Sequence, residues 1–253
     1  MAVSTLAAAT HADMDHREAR IDLACAFRWT ARWNMHESVA NHFSIAVNDD
    51  GSEFLVNPRG RHFGRISASE LLLTNANDPS VMERPDAPDP SAWALHGGVH
   101  RRVPHARVIL HVHSKYATAL ASLKDPTMLP IENNTMRFYE RIAYDLGFDG
   151  MGVGDEAERV AGLACDKPIL LLGNHGLMVL GPDVAQAVDD LYHFERAAET
   201  LITAMQTGRE LSVVSHAVAA KTAQQWQEYP DLTKNHFKAL KEILDEEEPD
   251  YRD

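Results

Sequence analysis

Two histidines one residue apart, His111 and His113, stand in the apolar run Val108-Ile109-Leu110-His111-Val112-His113-Ser114. On a strand, side chains two apart point to the same face, with Cβ atoms roughly 6.5–7 Å apart. His111 and His113 therefore share one side while Leu110 and Val112 take the other. Two imidazoles on one face can hold a divalent metal if a third ligand arrives from elsewhere. His175 is the candidate, because it sits in Gly173-Asn174-His175-Gly176, a tight turn between two apolar runs. Such a turn can aim a side chain into a site. Taken singly, the first two also fit hydrogen-bonded strand histidines, and Asn-His-Gly also fits an ordinary turn.

The elements that must position these rings are legible in part. Residues 15–34 carry Ile21, Ala24, Phe27 and Ala31 at helical spacing. "HFSIAVN" and "EFLVNP" read as short strands around "NDDGS". "ISASELLL" opens on Ser67 and Glu70, a capping-box pair that predicts a short helix or turn. Residues 74–90 hold Pro79, Pro85, Pro88 and Pro90 and read as a loop. Asp89-Pro90 predicts a helix start that runs to about Arg102. "ARVILHVHS" is a strand, "ATALASL" and "DEAERVAGLAC" are helical, and "MRFYERIAYDLG" is ambiguous. "KPILLLGNHGLMVLG" predicts a hairpin. The longest helix is expected over 183–207, closed by Gly208, and a last one over about 233–245.

Bulk properties narrow the function. The 253 residues carry a net charge of −13 with histidines neutral, which disfavours binding to nucleic acid or to an anionic membrane. No apolar run approaches the length of a spanning helix. Cys25 and Cys165 lie in no CxxC pair, which fits a reducing, cytoplasmic setting. Residues 1–14 read as a disordered lead-in, residues 15–245 as one domain, and residues 246–253 as a solvated acidic tail.

Several segments together resemble the class II aldolase/adducin family. They are "NHFSIAV" (41–47), "FLVNPRGRHFGRISASELLL" (54–73), "WALHGGVHRRVPHARVILHVHS" (93–114), "FYERIAY" (138–144) and "KPILLLGNHGLMVLGPDVAQAV" (167–188). The resemblance implies an α/β fold, a three-layer α/β/α domain around a mainly antiparallel sheet. It implies one divalent metal ion on His111, His113 and His175, with Zn, Mn, Fe, Co or Ni all compatible with the ligands. It also implies a homotetramer with active sites between subunits.

The chain departs from the sugar-phosphate aldolases it resembles. Where they carry Ser-Ser-Glu, this sequence reads Pro90-Ser91-Ala92, so the glutamate that serves as their general base is replaced by Ala92. Their phosphate pocket corresponds here to Asn41-His42, Pro58-Arg59-Gly60 and Pro90-Ser91. Arg59 can bind a planar carboxylate through two nitrogens, although an exposed turn arginine reads the same way. The expected substrate is a small hydroxy or oxo carboxylate without phosphate, held by Arg59, His42, Ser44, Asn57, Gly60 and Ser91. His96 and His100 share a helix face and can replace the lost base or simply pack. Tyr139 and Glu132 are further candidate proton donors, and Tyr139 equally fits a core aromatic; sugar-phosphate relatives use a neighbouring subunit's tyrosine in that region.

A metal on three neutral imidazoles polarises a carbonyl and stabilises the enediolate left when a carbon–carbon bond breaks. Loss of the glutamate tilts the expectation from retro-aldol cleavage toward decarboxylation, since departing carbon dioxide needs no base. The alternatives are an iron-dependent oxygenase at the same histidines and a non-catalytic, adducin-like interaction domain.

Overall fold

The computed structural model describes residues 14–164 and 166–253, so the lead-in read over 1–14 lies outside the described residues except for Met14. Its centre is a seven-stranded sheet in the order β3-β2-β1-β4-β7-β6-β5. The strands are β1 (His42–Ala46), β2 (Glu53–Val56), β3 (Leu72–Asn75), β4 (Val108–Val112), β5 (Ile142–Asp145), β6 (Ile169–Leu172) and β7 (Gly176–Gly181). Every pairing is antiparallel except that of β5 with β6. Helices cover both faces, which is the three-layer α/β/α arrangement the sequence implies.

Alternation along the strands sorts the layers. Val108, Leu110 and Val112 of β4 face a large core with α1 (Arg17–Arg32), α3 (Lys115–Ala121), α6 (Val184–Gln206) and α8 (Pro230–Glu247). Phe27 of α1 stacks on Phe43 of β1 there, with ring centroids 4.7 Å apart. Ile109 faces the opposite core with α2 (Pro90–Arg102) and α5 (Asp155–Ala164). His111 belongs to this second face, the one that carries the chemistry.

Local signals explain how α2 and the hairpin begin. Asp89 caps α2 by accepting the Ser91 N–H, and Pro90 occupies its first turn. In the β6–β7 hairpin Asn174 adopts φ 54, a left-handed turn conformation. Gly176 follows it because a Cβ there would lie 2.5 Å from the Val112 carbonyl oxygen and 2.8 Å from the His113 ring.

Four parts of the fold differ from expectation. β3 takes Leu72–Asn75, because Val56 and Leu55 of β2 offer a free ladder to residues after the Ser67–Glu70 capping box. The helix α4 (Asn133–Arg137) and β5 divide the ambiguous segment. The helix α7 (His216–Gln227) gave no sequence signal: only Ala219 and Ala223 of it are buried. Residues 246–253 are not a solvated tail. Tyr251 is fully buried, Arg28 bonds Glu248 and Asp250 at 3.0 and 2.9 Å, and Ser69 donates its N–H to the Asp253 carbonyl at 2.7 Å. Glu247, Glu248 and Asp250, among the acidic side chains that suggested solvation, are partners of the α1 arginines Arg28 and Arg32.

Candidate metal centre and the histidine chain beside it

β4 and the β6–β7 hairpin bring His111, His113 and His175 together. Their Nε2 atoms form a near-equilateral triangle with sides of 3.1, 3.2 and 3.2 Å. His111 is buried, while His113 and His175 are half-buried. Nδ1 of His111 donates to the Leu177 carbonyl at 3.0 Å, and Nδ1 of His113 faces the Glu37 carboxylate at 3.3 Å. Both contacts place the ring hydrogen on Nδ1 and leave the Nε2 lone pair for the centre. Burial, reinforced by the neighbouring rings, pushes His175 down to about 4 and His111 well below its ordinary value. His113 is lowered by burial, with Glu37 opposing. Neutral rings with converging lone pairs fit a cation that takes bonds of roughly 2.0–2.1 Å. Among the described residues this is the one cluster of three or more such side chains able to hold a metal. Phe148 closes one side, its ring centroid 4.3 Å from that of His175.

Beside the cluster runs a chain of buried polar groups. The register of β1 on β4 pairs His42 with His111, and their rings lie 4.9 Å apart. His42 Nδ1 meets His96 Nε2 at 2.8 Å, and His96 Nδ1 meets Ser44 Oγ at 2.6 Å. Ser44 Oγ meets His100 Nε2 at 2.7 Å, and His100 Nδ1 meets the Ala106 carbonyl at 2.7 Å. At the other end His42 Nε2 lies 3.2 Å from Ser91 Oγ, which donates to Asp89 at 2.6 Å.

The ends of this chain fix its polarity. The Ala106 carbonyl can only accept, so His100 carries its hydrogen on Nδ1. Ser44 then donates to His100, His96 donates to Ser44, and His42 donates to His96. Asp89 takes the Ser91 hydrogen at the opposite end. Three neutral rings and two hydroxyls supply five hydrogens for six contacts. The contact left without one is His42 Nε2 to Ser91 Oγ, which at 3.2 Å is also the longest. Burial agrees with neutral rings: it pushes His42 and His100 down to about 4 and His96 well below its ordinary value. His42 thus turns an unprotonated nitrogen toward Ser91.

The other sequence candidates fall in three groups. Ser44 and Asn57 are buried and spent on the protein itself; Asn57 accepts from the Phe43 N–H and donates to the Asn41 carbonyl. Arg59 and Gly60 are exposed, and Arg59 stands 3.7 Å from Asp89. Glu132 caps α4, accepting from the backbone of Asn134 and Thr135, and Tyr139 bonds His216 at 3.0 Å. Their segment packs against α6 and α7, so within one chain they do not join the histidines. Ala92 lies in an apolar cluster with Phe54, Val56 and Ala76. Sequence reasoning missed Glu37, which no spacing ties to His113. Asn41, which the sequence places among the pocket positions, has a buried Nδ2 with no partner, while its Oδ1 accepts from the Glu37 N–H.

A sheet flanked by helices, with a three-histidine cluster able to hold a metal between a central strand and a hairpin, defines the class of α/β domain. Residues 21–202 match the family described as Class II Aldolase and Adducin N-terminal domain, and the chain belongs to that family. A protein of Caulobacter vibrioides named for the class 2 aldolases is 27% identical over 194 residues, covering 76% of this chain and 75% of its own length. Human beta-adducin is 26% identical over 194 residues, covering 74% of this chain but only 26% of the adducin. The crystal structure of an aldolase II superfamily protein from Pseudomonas syringae superposes with a TM-score of 0.83 at 30% identity, covering 94% and 96% of the two chains.

Proposed function

We propose that this chain is a metal-dependent carbon–carbon lyase, a decarboxylase or retro-aldol aldolase, for a small hydroxy or oxo carboxylate that carries no phosphate. The observation that carries the reading is the triangle of unprotonated Nε2 atoms, with Nδ1 of His111 and His113 already engaged. The bound divalent metal supplies the positive charge that polarises a carbonyl and stabilises the electrons released when the bond breaks. Arg59, exposed at the same mouth as Ser91 and Asp89, binds the carboxylate. The proton normally handled by the family glutamate goes to His42 instead. Ser91 Oγ passes a substrate hydroxyl proton to His42 Nε2. The chain of His96, Ser44 and His100 holds His42 with its own hydrogen on Nδ1, so that Nε2 is the nitrogen that accepts. His100 therefore acts through the chain, not by touching substrate. Tyr139 and Glu132 enter this reading only as groups brought by a neighbouring copy in a homotetramer.

A non-catalytic role like that of the adducin head is the second reading, and Ala92 packed among apolar side chains is what favours it. The deciding experiment combines metal analysis with incubation of the protein with hydroxy and oxo carboxylates, following carbon dioxide and aldehyde release. The lyase reading expects one bound divalent ion per chain and product formation. His113→Ala should lose metal affinity by at least about a hundredfold, and activity with it, at unchanged circular dichroism. Full activity in that variant, or a wild-type protein that binds no metal, rules the reading out.

A further inference from the structure

The short helix α3, which lies between the strand histidines and the hairpin, is held at both ends. β4 stops at Val112, His113 and Ser114 follow, and α3 begins at Lys115. Glu195, buried in the middle of α6, reaches this junction from the far face of the sheet. It accepts from Ser114 Oγ at 2.6 Å, from the Tyr116 N–H at 2.8 Å and from the Ala117 N–H at 3.0 Å. Backbone donors in a first helical turn lack partners within the helix, so one buried carboxylate secures two of them and a hydroxyl. At the other end of α3 the Ala121 carbonyl accepts the N–H of Asn174 at 3.0 Å. Asn174 is the residue before His175. The helix therefore starts just after one ligand and ends against the neighbour of another.

We propose that Glu195 is a positioning residue for the metal centre, acting through α3 as a strut that sets the spacing between the strand histidines and His175. The proposal rests on the reading of His111, His113 and His175 as metal ligands. A helix of seven residues is too short to hold itself in water, so its length and place depend on what grips its ends. Metal sites tolerate errors of only about 0.2 Å in ligand distance. Fraying α3 by a single residue would displace its end by about 1.5 Å. Glu195 touches none of the three rings and cannot bind the ion with them; its effect is on where they stand.

The test measures the zinc dissociation constant by competition with a chromophoric chelator, beside the melting temperature of the metal-free protein. Glu195→Gln should bind zinc about tenfold more weakly, the scale seen for supporting groups around metal ligands. Ser114→Ala removes only the hydroxyl contact and should weaken zinc severalfold; it decides the matter if Glu195→Gln fails to fold. Asp183→Ala removes another helix cap, the acceptor for the Gln186 N–H at the start of α6, and should cost melting temperature with no change in zinc affinity. Wild-type zinc affinity in both Glu195→Gln and Ser114→Ala, or an equal loss in Asp183→Ala, overturns the proposal. A wild-type chain that takes up neither zinc nor manganese, iron, cobalt or nickel defeats the metal reading itself and this proposal with it, a result visible before any variant is compared.

Discussion

At the residue scale the chemistry depends on which nitrogen of each ring carries hydrogen. A carbonyl or carboxylate orients His111 and His113 so that their lone pairs meet. The Ala106 carbonyl and Asp89 do the same for the chain of His42, His96, Ser44 and His100. Arg59 is the side chain whose predicted role is easiest to separate from the metal. It is exposed and makes one long ion pair. Arg59→Ala should raise KM for a carboxylate substrate about tenfold, near the lower end of what a charge-assisted hydrogen bond contributes, while zinc affinity stays at the wild-type value. Unchanged steady-state kinetics would remove the carboxylate anchor. The convergence of His111, His113 and His175 was legible because strand spacing put two of them on one face, a glycine-flanked turn offered the third, and the family resemblance joined the three. Glu37 and the order of the chain were not, because they depend on hydrogen bonds between segments far apart in sequence.

At the scale of elements, the hairpin and β4 had strong local signals: apolar alternation, a glycine-flanked turn, and a proline-started helix before the strand. β3, α7 and the docked C-terminal segment had weak ones. β3 exists because β2 offers it a ladder, and residues 246–253 are ordered by arginines of α1; neither cause is local. The hairpin carries a further expectation. Gly176 lets β7 pass close to Val112 and His113. Gly176→Ala would drive a methyl group into the Val112 carbonyl and the His113 ring, with backbone on one side unable to yield. The variant should lose melting temperature corresponding to roughly 1–3 kcal/mol, the usual cost of forced overpacking, and should lose zinc affinity as well. Retention of both in calorimetry and chelator competition would mean that the strands separate more easily than their spacing implies.

At the scale of the whole molecule, burial of neutral histidines ties stability to pH. His100 and His193 are both pushed down to about 4 by burial, against roughly 6.5 in an unfolded chain. Above pH 6.5 neither state binds the proton and these groups have no effect. Between 6.5 and 4 the unfolded chain takes up protons that the folded one refuses, so stability falls as pH falls. Below about 4 both states are protonated and this contribution levels off. Thermal unfolding of the metal-free protein should therefore show a melting temperature that declines from pH 6.5 to 4, with proton uptake on unfolding; a flat profile across that window would show these rings to be solvated. Fold class was readable from the ordered set of motifs.

The pairing of His42 with His111 across β1 and β4 joins two devices that look separate. A slip of one residue between those strands would turn His42 and Ser44 to the opposite side of the sheet. Drift in that registration would strip the three-ring cluster of the imidazole and hydroxyl beside it while leaving the cluster intact, since His111, His113 and His175 all lie on or next to β4 and in the β6–β7 hairpin.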